Sequence, residues 1–466
     1  MFDPDIAPSG SLLGLLQRGR GDGTLHALAA QPGEALAALE ACVLRDPRGD
    51  WQLESRSLYY ARLYSELEAG LDGIEQHLFH PDDLVDTDEH RTGLALSVLG
   101  RLAGYGRRDA TGLLRRYAAA GTSWQWALDE LAVRDDDTSL RRLGPAVLAR
   151  FPAGPEGDAQ LAAAVRDAYE PRPWHLWAEE HERVRRAFDD ASFHRWQRQL
   201  APAGPTPGWS VGAVLEWAEQ PGPAGSDGHR DAAAARCLDA VAGPEDRPEL
   251  LAAARFGPAT ARAAALRHLA GKEDPAALEL IEAAAGAPER RVADAALCSF
   301  ERMRDTRSLE RARLWSARDD ALGAAAARML AARGGGADAP RVLAALRNLV
   351  RREGADAAGL GPLVDGAGRL AVTCAAPLLR HVYRETASSQ LRGRAARALA
   401  VTDPAFASGF AVECLWDCEE STRSLAAAHA AIGDVRVLAR LRRLAADPAE
   451  EAEVQSAVRG RLHGPR

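Results

Sequence analysis

Histidine and carboxylate side chains crowd one short stretch of the N-terminal region, where their spacing could hold a metal ion. The stretch contains His77, His80, Asp82, Asp83, Asp86, Asp88, Glu89 and His90. Imidazole nitrogens and carboxylate oxygens are common ligands of divalent metals, and His77 and His80 would share one helical face. The same residue types also occur where a helix ends, the chain turns and a new helix is capped. We favour this structural interpretation and predict no metal site.

Two other groups of residues could also be considered as metal ligands. Cys414 and Cys418 stand one helical turn apart. A zinc site would need two more suitable ligands, so we expect two buried thiols instead. His175, Glu179 and His181 lack the His-Glu-x-x-His spacing that places two histidines one turn apart. We expect the tryptophans around them to pack against a partner helix.

Motifs of nucleotide-binding and hydrolytic enzymes do not occur in the sequence. No Gly-x-Gly-x-x-Gly follows a strand-like segment, and there is neither a Gly-Lys-Ser/Thr loop nor a Gly-x-Ser-x-Gly elbow. We therefore predict no catalytic residue and no cofactor, and we favour a protein that is not an enzyme.

Aromatic side chains and arginine lie close together in two places, and both patterns are typical of protein interfaces. The candidate interaction residues are Asp50, Trp51, Arg56, Tyr59, Tyr60, Trp124 and Trp126. The alternative is that Trp51 and the tyrosines complete the core of the first helices, and that the later tryptophans do the same further along.

Charge is distributed unevenly along the chain. The 466 residues carry a formal net charge of −8, yet residues 1–100 hold 17 acidic and 7 basic side chains, a balance of −10. The rest of the chain is close to neutral. An acidic N-terminal region would repel nucleic acid, so we expect a protein partner, and a basic one.

Composition narrows the class of protein. Hydrophobic residues make up 47% and charged residues 27% of the chain, as in ordinary globular proteins. No apolar run is long enough to span a membrane, and the first residues are acidic where a secretory signal would be basic. The six cysteines show no tight framework. These features predict a cytoplasmic protein with reduced thiols and no membrane partner.

Helix-start signals recur at near-equal intervals in the second half of the chain. One set is Asp246, Asp274, Asp305, Asp338, Thr373, Asp403 and Asp434, and a second set between them is Pro258, Pro288, Asp320, Asp356, Ser389, Ser421 and Pro448. An Asp, Thr or Ser oxygen can accept from the free N–H groups of a first helical turn, and proline fits the turn itself. Two short helices in every 30 or so residues predict a helical solenoid.

These repeats resemble the HEAT-like repeats of the short bacterial class first recognised in phycobilisome lyases. The resemblance rests on Asp274–Leu278, Asp305–Leu309 and Gly433–Leu438 at first helices, and on Arg290–Leu297 and Arg394–Leu399 at second helices. It covers about 240–460. It implies an all-α fold, an α-α superhelix, and a surface used mostly for protein–protein contacts.

The pattern divides the chain into three regions. Residues 1–200 are predicted to form degenerate helical repeats with an acidic beginning. Residues 201–230 are rich in proline and glycine and should form a hinge or crossover with one helix. Residues 231–466 should form the HEAT-like solenoid of about seven helix pairs.

Three functions remain open on these grounds. We favour a non-enzymatic scaffold or adaptor that binds another protein. The first alternative is a nucleic-acid-binding protein resembling the HEAT-like alkylpurine DNA glycosylases, suggested by Arg436, Arg440, Arg442 and Arg443. The second is a lyase-like enzyme, by analogy of fold alone, for which perturbed ionisable residues in a deep pocket would be the distinguishing observation.

Overall fold

The chain is helical wherever its structure is described. The computed structural model describes residues 6–47, 56–82, 89–188, 208–220 and 230–463, and within these ranges it contains no β-strand. None of the helices in these ranges is both long enough and apolar enough to cross a bilayer. The predicted all-α class is confirmed, since helices pack against their neighbours in sequence order, as in an α-α superhelix.

Residues 12–188 contain twelve of the described helices. They are α1 (Leu12–Gln17), α2 (Gly21–Ala29), α3 (Pro32–Leu44), α4 (Arg56–Glu66), α5 (Asp72–Leu78), α6 (Glu89–Gly104), α7 (Arg108–Ala120), α8 (Trp124–Arg134), α9 (Asp137–Leu148), α10 (Pro155–Asp167), α11 (Arg172–Glu180) and α12, described over 182–188.

Residues 211–463 continue the same pattern. They are α13 (Val211–Glu219), α14 (Arg230–Val241), α15 (Arg247–Phe256), α16 (Ala259–Gly271), α17 (Ala277–Ala284), α18 (Arg290–Arg302), α19 (Thr306–Trp315), α20 (Ala321–Arg333), α21 (Ala339–Glu353), α22 (Leu360–Arg369), α23 (Ala376–Glu385), α24 (Ser389–Thr402), α25 (Phe410–Cys414), α26 (Glu420–His429), α27 (Val435–Ala446) and α28 (Ala452–His463).

Most helix starts fall within a few residues of the two sets of predicted capping residues, although α25 begins seven residues after Asp403. The first set precedes or opens the odd-numbered helices α15 to α27, and the second does the same for the even-numbered helices α16 to α28. Asp305 accepts a hydrogen bond from the backbone N–H of Ser308 (2.9 Å), and Asp320 accepts one from Gly323 (2.8 Å). These side chains satisfy N–H groups that the first turn leaves free.

Internal contacts group the residues into two compact units. One comprises Met1–Ala201 with His381–Arg466, and the other comprises Pro202–Arg380. The three-region division drawn from the sequence, with boundaries at 200 and 230, stays a prediction.

The unit formed by 202–380 is a stack of helix pairs. Helices α14, α16, α18, α20 and α22 each pack on the next, and each odd helix from α15 to α21 packs on the even helix that follows it. Small residues permit this close stacking: a Cβ built on Gly366 of α22 would lie 2.4 Å from the Cβ of Ala331 in α20. Alanine and glycine at these contacts therefore set the spacing of the stack.

The other unit brings the two ends of the chain into contact. We call this contact the seam; it joins residues 16–21 and 56–66 to residues 385–450. The backbone N–H of Cys418 donates to the carbonyl of Gly19 (2.9 Å). A Cβ built on Gly21 would lie 1.9 Å from the carbonyl oxygen of Glu413, so only glycine fits there. The backbones at the seam are thus in direct contact.

Buried ion pairs lie along the seam and beside it. Within the C-terminal part, Arg392 pairs with Asp417 (2.7 Å), and both side chains are fully buried. Arg423 pairs with Glu450 (2.7 Å) and is equally buried. Arg62 of α4 reaches across the seam to the same Glu450 carboxylate (3.0 Å). One carboxylate therefore compensates two guanidinium groups from distant parts of the chain.

Asp447 and Glu450 have the spacing of a helix capping box, and Asp447 accepts a hydrogen bond from the backbone N–H of Ala449 (2.9 Å), but both carboxylates also bind arginines. Helix α28 begins only at Ala452, after both residues. Asp447 contacts Arg62 (2.6 Å), and Glu450 contacts Arg423 and Arg62. Both carboxylates thus accept backbone N–H groups and compensate buried guanidinium groups at the same time.

We predict that Glu450→Gln lowers the free energy of unfolding by about 3 kcal/mol, because it removes the carboxylate that compensates two buried arginines. Urea denaturation followed by circular dichroism measures this loss. Glu182→Gln is the matched control, since Glu182 also contacts two arginines, Arg185 and Arg186, but on the exposed surface. That change should cost less than about 0.5 kcal/mol. Equal losses for the two variants would contradict the prediction.

The contribution of Glu450 should also depend on pH. Burial alone would raise its pKa, but the hydrogen bonds from Arg423 and the charges of Arg423 and Arg62 outweigh burial and lower the pKa. A carboxyl group whose folded-state pKa is lowered stabilises the fold above its ordinary pKa of about 4.3. The difference between wild type and Glu450→Gln should therefore be full at neutral pH and shrink below about pH 4.

Candidate interaction cleft

Three of the predicted interaction residues lie inside the seam. Arg56, Tyr59 and Tyr60 are buried, and the two tyrosine rings meet edge to face (5.3 Å between centroids). Both tyrosine hydroxyl groups donate to backbone carbonyls of residues 16–20, and Arg56 donates to the carbonyl of Gln17. Tyr59 and Tyr60 therefore occupy core positions, as the alternative interpretation predicted. A role for these residues at an interface stays a prediction.

The two predicted tryptophans of α8 take different positions. Trp124 is buried and packs edge to face against Phe151 (5.8 Å) and Trp174 (6.1 Å). Trp126 is half-buried, and its indole N–H donates to the hydroxyl of Ser97 (3.0 Å). Trp124 therefore anchors α8 to the core, while Trp126 lines a cavity described below.

Several predicted residues fall outside the described part of the chain. These are Asp50, Trp51, and the carboxylates of 83–88 that could have completed a metal site. His80 accepts a hydrogen bond from the backbone N–H of Asp82 (3.3 Å). Within the described ranges, no three His, Cys, Asp or Glu side chains converge as metal ligands would. The interpretation of this stretch as a turn stays a prediction.

The predicted thiols and histidines have ordinary packing positions. Cys414 and Cys418 are fully buried, as expected, and burial raises the pKa of the Cys414 thiol. His175 stacks on Phe188 (4.6 Å between centroids). Trp177 is buried and donates to the carbonyl of Leu140 (2.8 Å), which joins α11 to α9. The expected packing on a neighbouring helix is confirmed for Trp174 and Trp177, while Trp196 lies outside the described residues.

A cavity of about 900 Å³ opens beside α8, and we call it the acidic cleft. Its charged lining residues are Asp129, Glu130, Arg134, Asp167 and Glu170, that is, four carboxylates and one guanidinium group. Trp126 forms part of its wall. The volume lies in the range of sites that hold a small molecule or a few residues of a bound peptide.

The periodicity of α8 positions this lining. Trp126, Asp129, Glu130 and Val133 lie three or four residues apart and therefore share one face. The opposite face carries Ala127, Leu128 and Leu131, which are buried in the core. On the far side, the backbone N–H of Glu170 donates to the Asp129 carboxylate (3.1 Å), which fixes the segment after α10 against α8.

Two carboxylates of the cleft, Asp129 and Glu130, have raised pKa values, whereas Asp167 pairs with Arg166 (3.0 Å). Burial, together with the charges of Glu170 and Glu130, raises the pKa of Asp129 to about 6. Burial also raises the pKa of Glu130, although Arg134 contacts it (2.5 Å) and opposes the shift. An entering cation would relieve this electrostatic cost, because it favours the charged form of both groups.

Apolar side chains stand exposed at the cleft. Tyr169, a lining residue, is 85% exposed, and Val133 is 59% exposed. Large apolar groups so open to water next to a charged cavity are typical of contact surfaces. The cleft can therefore accept a cationic group and cover an apolar one beside it.

Sequence reasoning identified Trp126 but missed the carboxylates around it. Residues 101–200 carry nearly balanced charge, so their composition hides a local acidic surface. The signal that could have revealed it is the helical spacing of Trp126, Asp129 and Glu130. The contribution of Asp167 and Glu170 depends on how α10 and α11 pack, which that spacing does not specify.

A scan against models of known protein families finds no match for this sequence, and a search of curated proteins finds none either. The resemblance to HEAT-like repeats therefore stays a prediction, supported by the helix pairs described above.

We predict that Asp129→Asn stabilises the protein at neutral pH by about 1 kcal/mol, because it removes a half-buried charge that is costly to ionise. The folded-state pKa is raised from 3.8 to about 6, so the stability of wild type falls as the pH rises through this interval. The advantage of the variant should therefore vanish near pH 4. Urea denaturation at several pH values measures it.

Asp167→Asn is the control for this experiment. Asp167 lines the same cleft, but its side chain is 63% exposed, so its charge is already solvated. Its removal should leave the free energy of unfolding at neutral pH almost unchanged. A loss of stability in Asp129→Asn at pH 7 would show that its charge supports the fold, contrary to this account.

Proposed function

We propose that this protein is a non-enzymatic scaffold of the helical-repeat type, and that its acidic cleft binds a basic segment of a partner protein. The segment would place a lysine or arginine among the carboxylates and an apolar side chain against Tyr169 and Val133. The six cysteines, all of which lie in the described ranges, form no disulfide bond, which agrees with the cytoplasmic site of action that we propose.

The observation that carries this proposal is the lining of the cleft, four carboxylates against one arginine, beside exposed apolar groups. Ionising Asp129 lowers the stability of the folded protein, because its pKa is raised. Residues that weaken the fold in this way are characteristic of functional sites, where the ligand supplies the missing compensation.

The nucleic-acid alternative has weaker support. The carboxylates of the cleft would repel phosphate. The arginine strip near the C-terminus is also interrupted, because Arg440 is buried and Arg436 is engaged by Asp434 (2.9 Å). Arg440 is therefore missing from the exposed strip, and Arg436, although exposed, already has a carboxylate partner.

The enzymatic alternative has one supporting observation, the raised pKa values in the cleft. Both groups already have internal partners, however: Asp129 accepts from Glu170, and Glu130 from Arg134. A general acid or base must be able to exchange a proton directly with a bound substrate. We therefore retain the scaffold as the proposal.

We predict that the full-length protein binds a fluorescein-labelled peptide of alternating lysine and leucine, and binds the matched glutamate–leucine peptide far more weakly. Fluorescence anisotropy measures both. Asp129→Asn and Glu170→Gln should each weaken binding of the lysine peptide about three- to tenfold, and added salt should weaken it further.

Glu156→Gln serves as the matched control, because Glu156 is an exposed carboxylate on α10 outside the cleft. It should leave the affinity unchanged. Equal binding of the two peptides, or cleft variants that bind as wild type does, would overturn the proposal. Tight binding of a labelled oligonucleotide with steep salt dependence would favour the nucleic-acid alternative instead.

A further inference from the structure

A second cavity, of about 620 Å³, lies at the seam and differs in charge from the acidic cleft. We call it the seam cavity. Its charged lining residues are Arg62, Glu66, Glu68, Arg107, Arg440, Arg443 and Asp447. Four guanidinium groups face three carboxylates there. Because α4, the loop after α6, and α27 all contribute, the cavity exists only while the seam is closed.

Two of the four arginines are fully engaged by carboxylates. Arg62 contacts Asp447 (2.6 Å) and Glu450 (3.0 Å). Arg107 contacts Asp109, which does not line the cavity, and donates to a backbone carbonyl as well. These two cations are compensated within the protein and have little charge to offer a ligand.

The other two arginines share a single distant carboxylate. Arg440 and Arg443 both approach the Oε1 atom of Glu66, at 3.5 Å and 3.8 Å. Arg440 also donates from Nε to the carbonyl of Leu415 (3.1 Å). At 3.5 Å the Arg440 contact is a weak hydrogen bond, and at 3.8 Å the Arg443 contact is an ion pair without a hydrogen bond, so one carboxylate compensates two cations poorly.

Burial makes this shortage costly for Arg440, whose side chain is 6% exposed. Burial and the like charges of Arg62 and Arg423 lower the pKa of Arg440 to about 10, against the opposing effect of Glu66. Arg62 is also buried, but Glu450, Tyr105 and Asp447 together outweigh burial and raise its pKa. The uncompensated positive charge of the seam cavity is therefore located at Arg440.

The charges match a particular kind of ligand. Arg440 and Arg443 are three residues apart on α27 and present two guanidinium groups toward one point, the Glu66 carboxylate. A phosphate monoester is largely dianionic at neutral pH and accepts from several guanidinium N–H groups at once. The cavity is also larger than a phosphate group, which leaves room for an attached organic group.

We propose that the seam cavity binds the phosphate group of a small phosphate-bearing ligand, with Arg440 and Arg443 as its cationic contacts and Glu66 displaced from them. Glu66 occupies the anion position when the ligand is absent and competes with it. The site is separate from the acidic cleft and does not depend on the scaffold function.

The test is isothermal titration calorimetry of the full-length protein at low ionic strength, with inorganic phosphate and pyrophosphate as probes. We predict binding of at least one probe by wild type. Arg443→Gln should raise the Kd about tenfold, because it removes one of the two cations. Arg443 is 69% exposed, so this variant should fold normally. Glu66→Gln should lower the Kd about tenfold, because it removes the competing carboxylate.

Arg436→Gln is the matched control, since Arg436 is on the same helix, is 81% exposed and pairs with Asp434 outside the cavity. Its Kd should equal that of wild type. If neither phosphate nor pyrophosphate bound to the wild-type protein, the proposal would be overturned. Binding that is unchanged in both Arg443→Gln and Glu66→Gln would also overturn it, because the anion would then bind elsewhere on the protein.

Discussion

Charged side chains that are buried at the seam must compensate one another, because water cannot reach them. Glu450 compensates Arg423 from its own part of the chain and Arg62 from more than 380 residues earlier. Removing either end of the chain would leave buried charges unpaired, which costs more than an ordinary packing defect. This requirement explains why residues 1–201 and 381–466 form one compact unit although 202–380 separates them in sequence.

Compensation is incomplete at two places, and each opens into a cavity. In the acidic cleft the uncompensated charge is negative and lies at Asp129, whose pKa is raised. In the seam cavity the uncompensated charge is positive and lies at Arg440, whose pKa is lowered. A fold optimised for stability alone would pair or remove such charges. We therefore infer that each uncompensated charge is retained for a ligand of opposite charge, a basic protein segment in one case and a phosphate group in the other.

The sequence was sufficient for the helix pairs but not for the seam. Capping residues such as Asp305 and Asp320 act within one turn, so their spacing predicts helix starts directly. The seam depends on pairs such as Arg20 with Glu413, which lie 393 residues apart, and no local pattern connects them. Asp447 shows the same limit, because its spacing is typical of a cap while its carboxylate contacts Arg62. Trp126 could be selected from its residue type, whereas Asp167 and Glu170 depend on tertiary packing.

The central claim is that buried charges make the two ends of the chain a single cooperative unit. Hydrogen–deuterium exchange of the full-length protein, read by mass spectrometry, tests it directly. The account predicts that slowly exchanging amides of α1–α4 and of α24–α28 become exposed in one common opening with the same free energy. If α1–α4 exchanged through an opening that left α24–α28 protected, the seam would not hold the unit together and the claim would be contradicted.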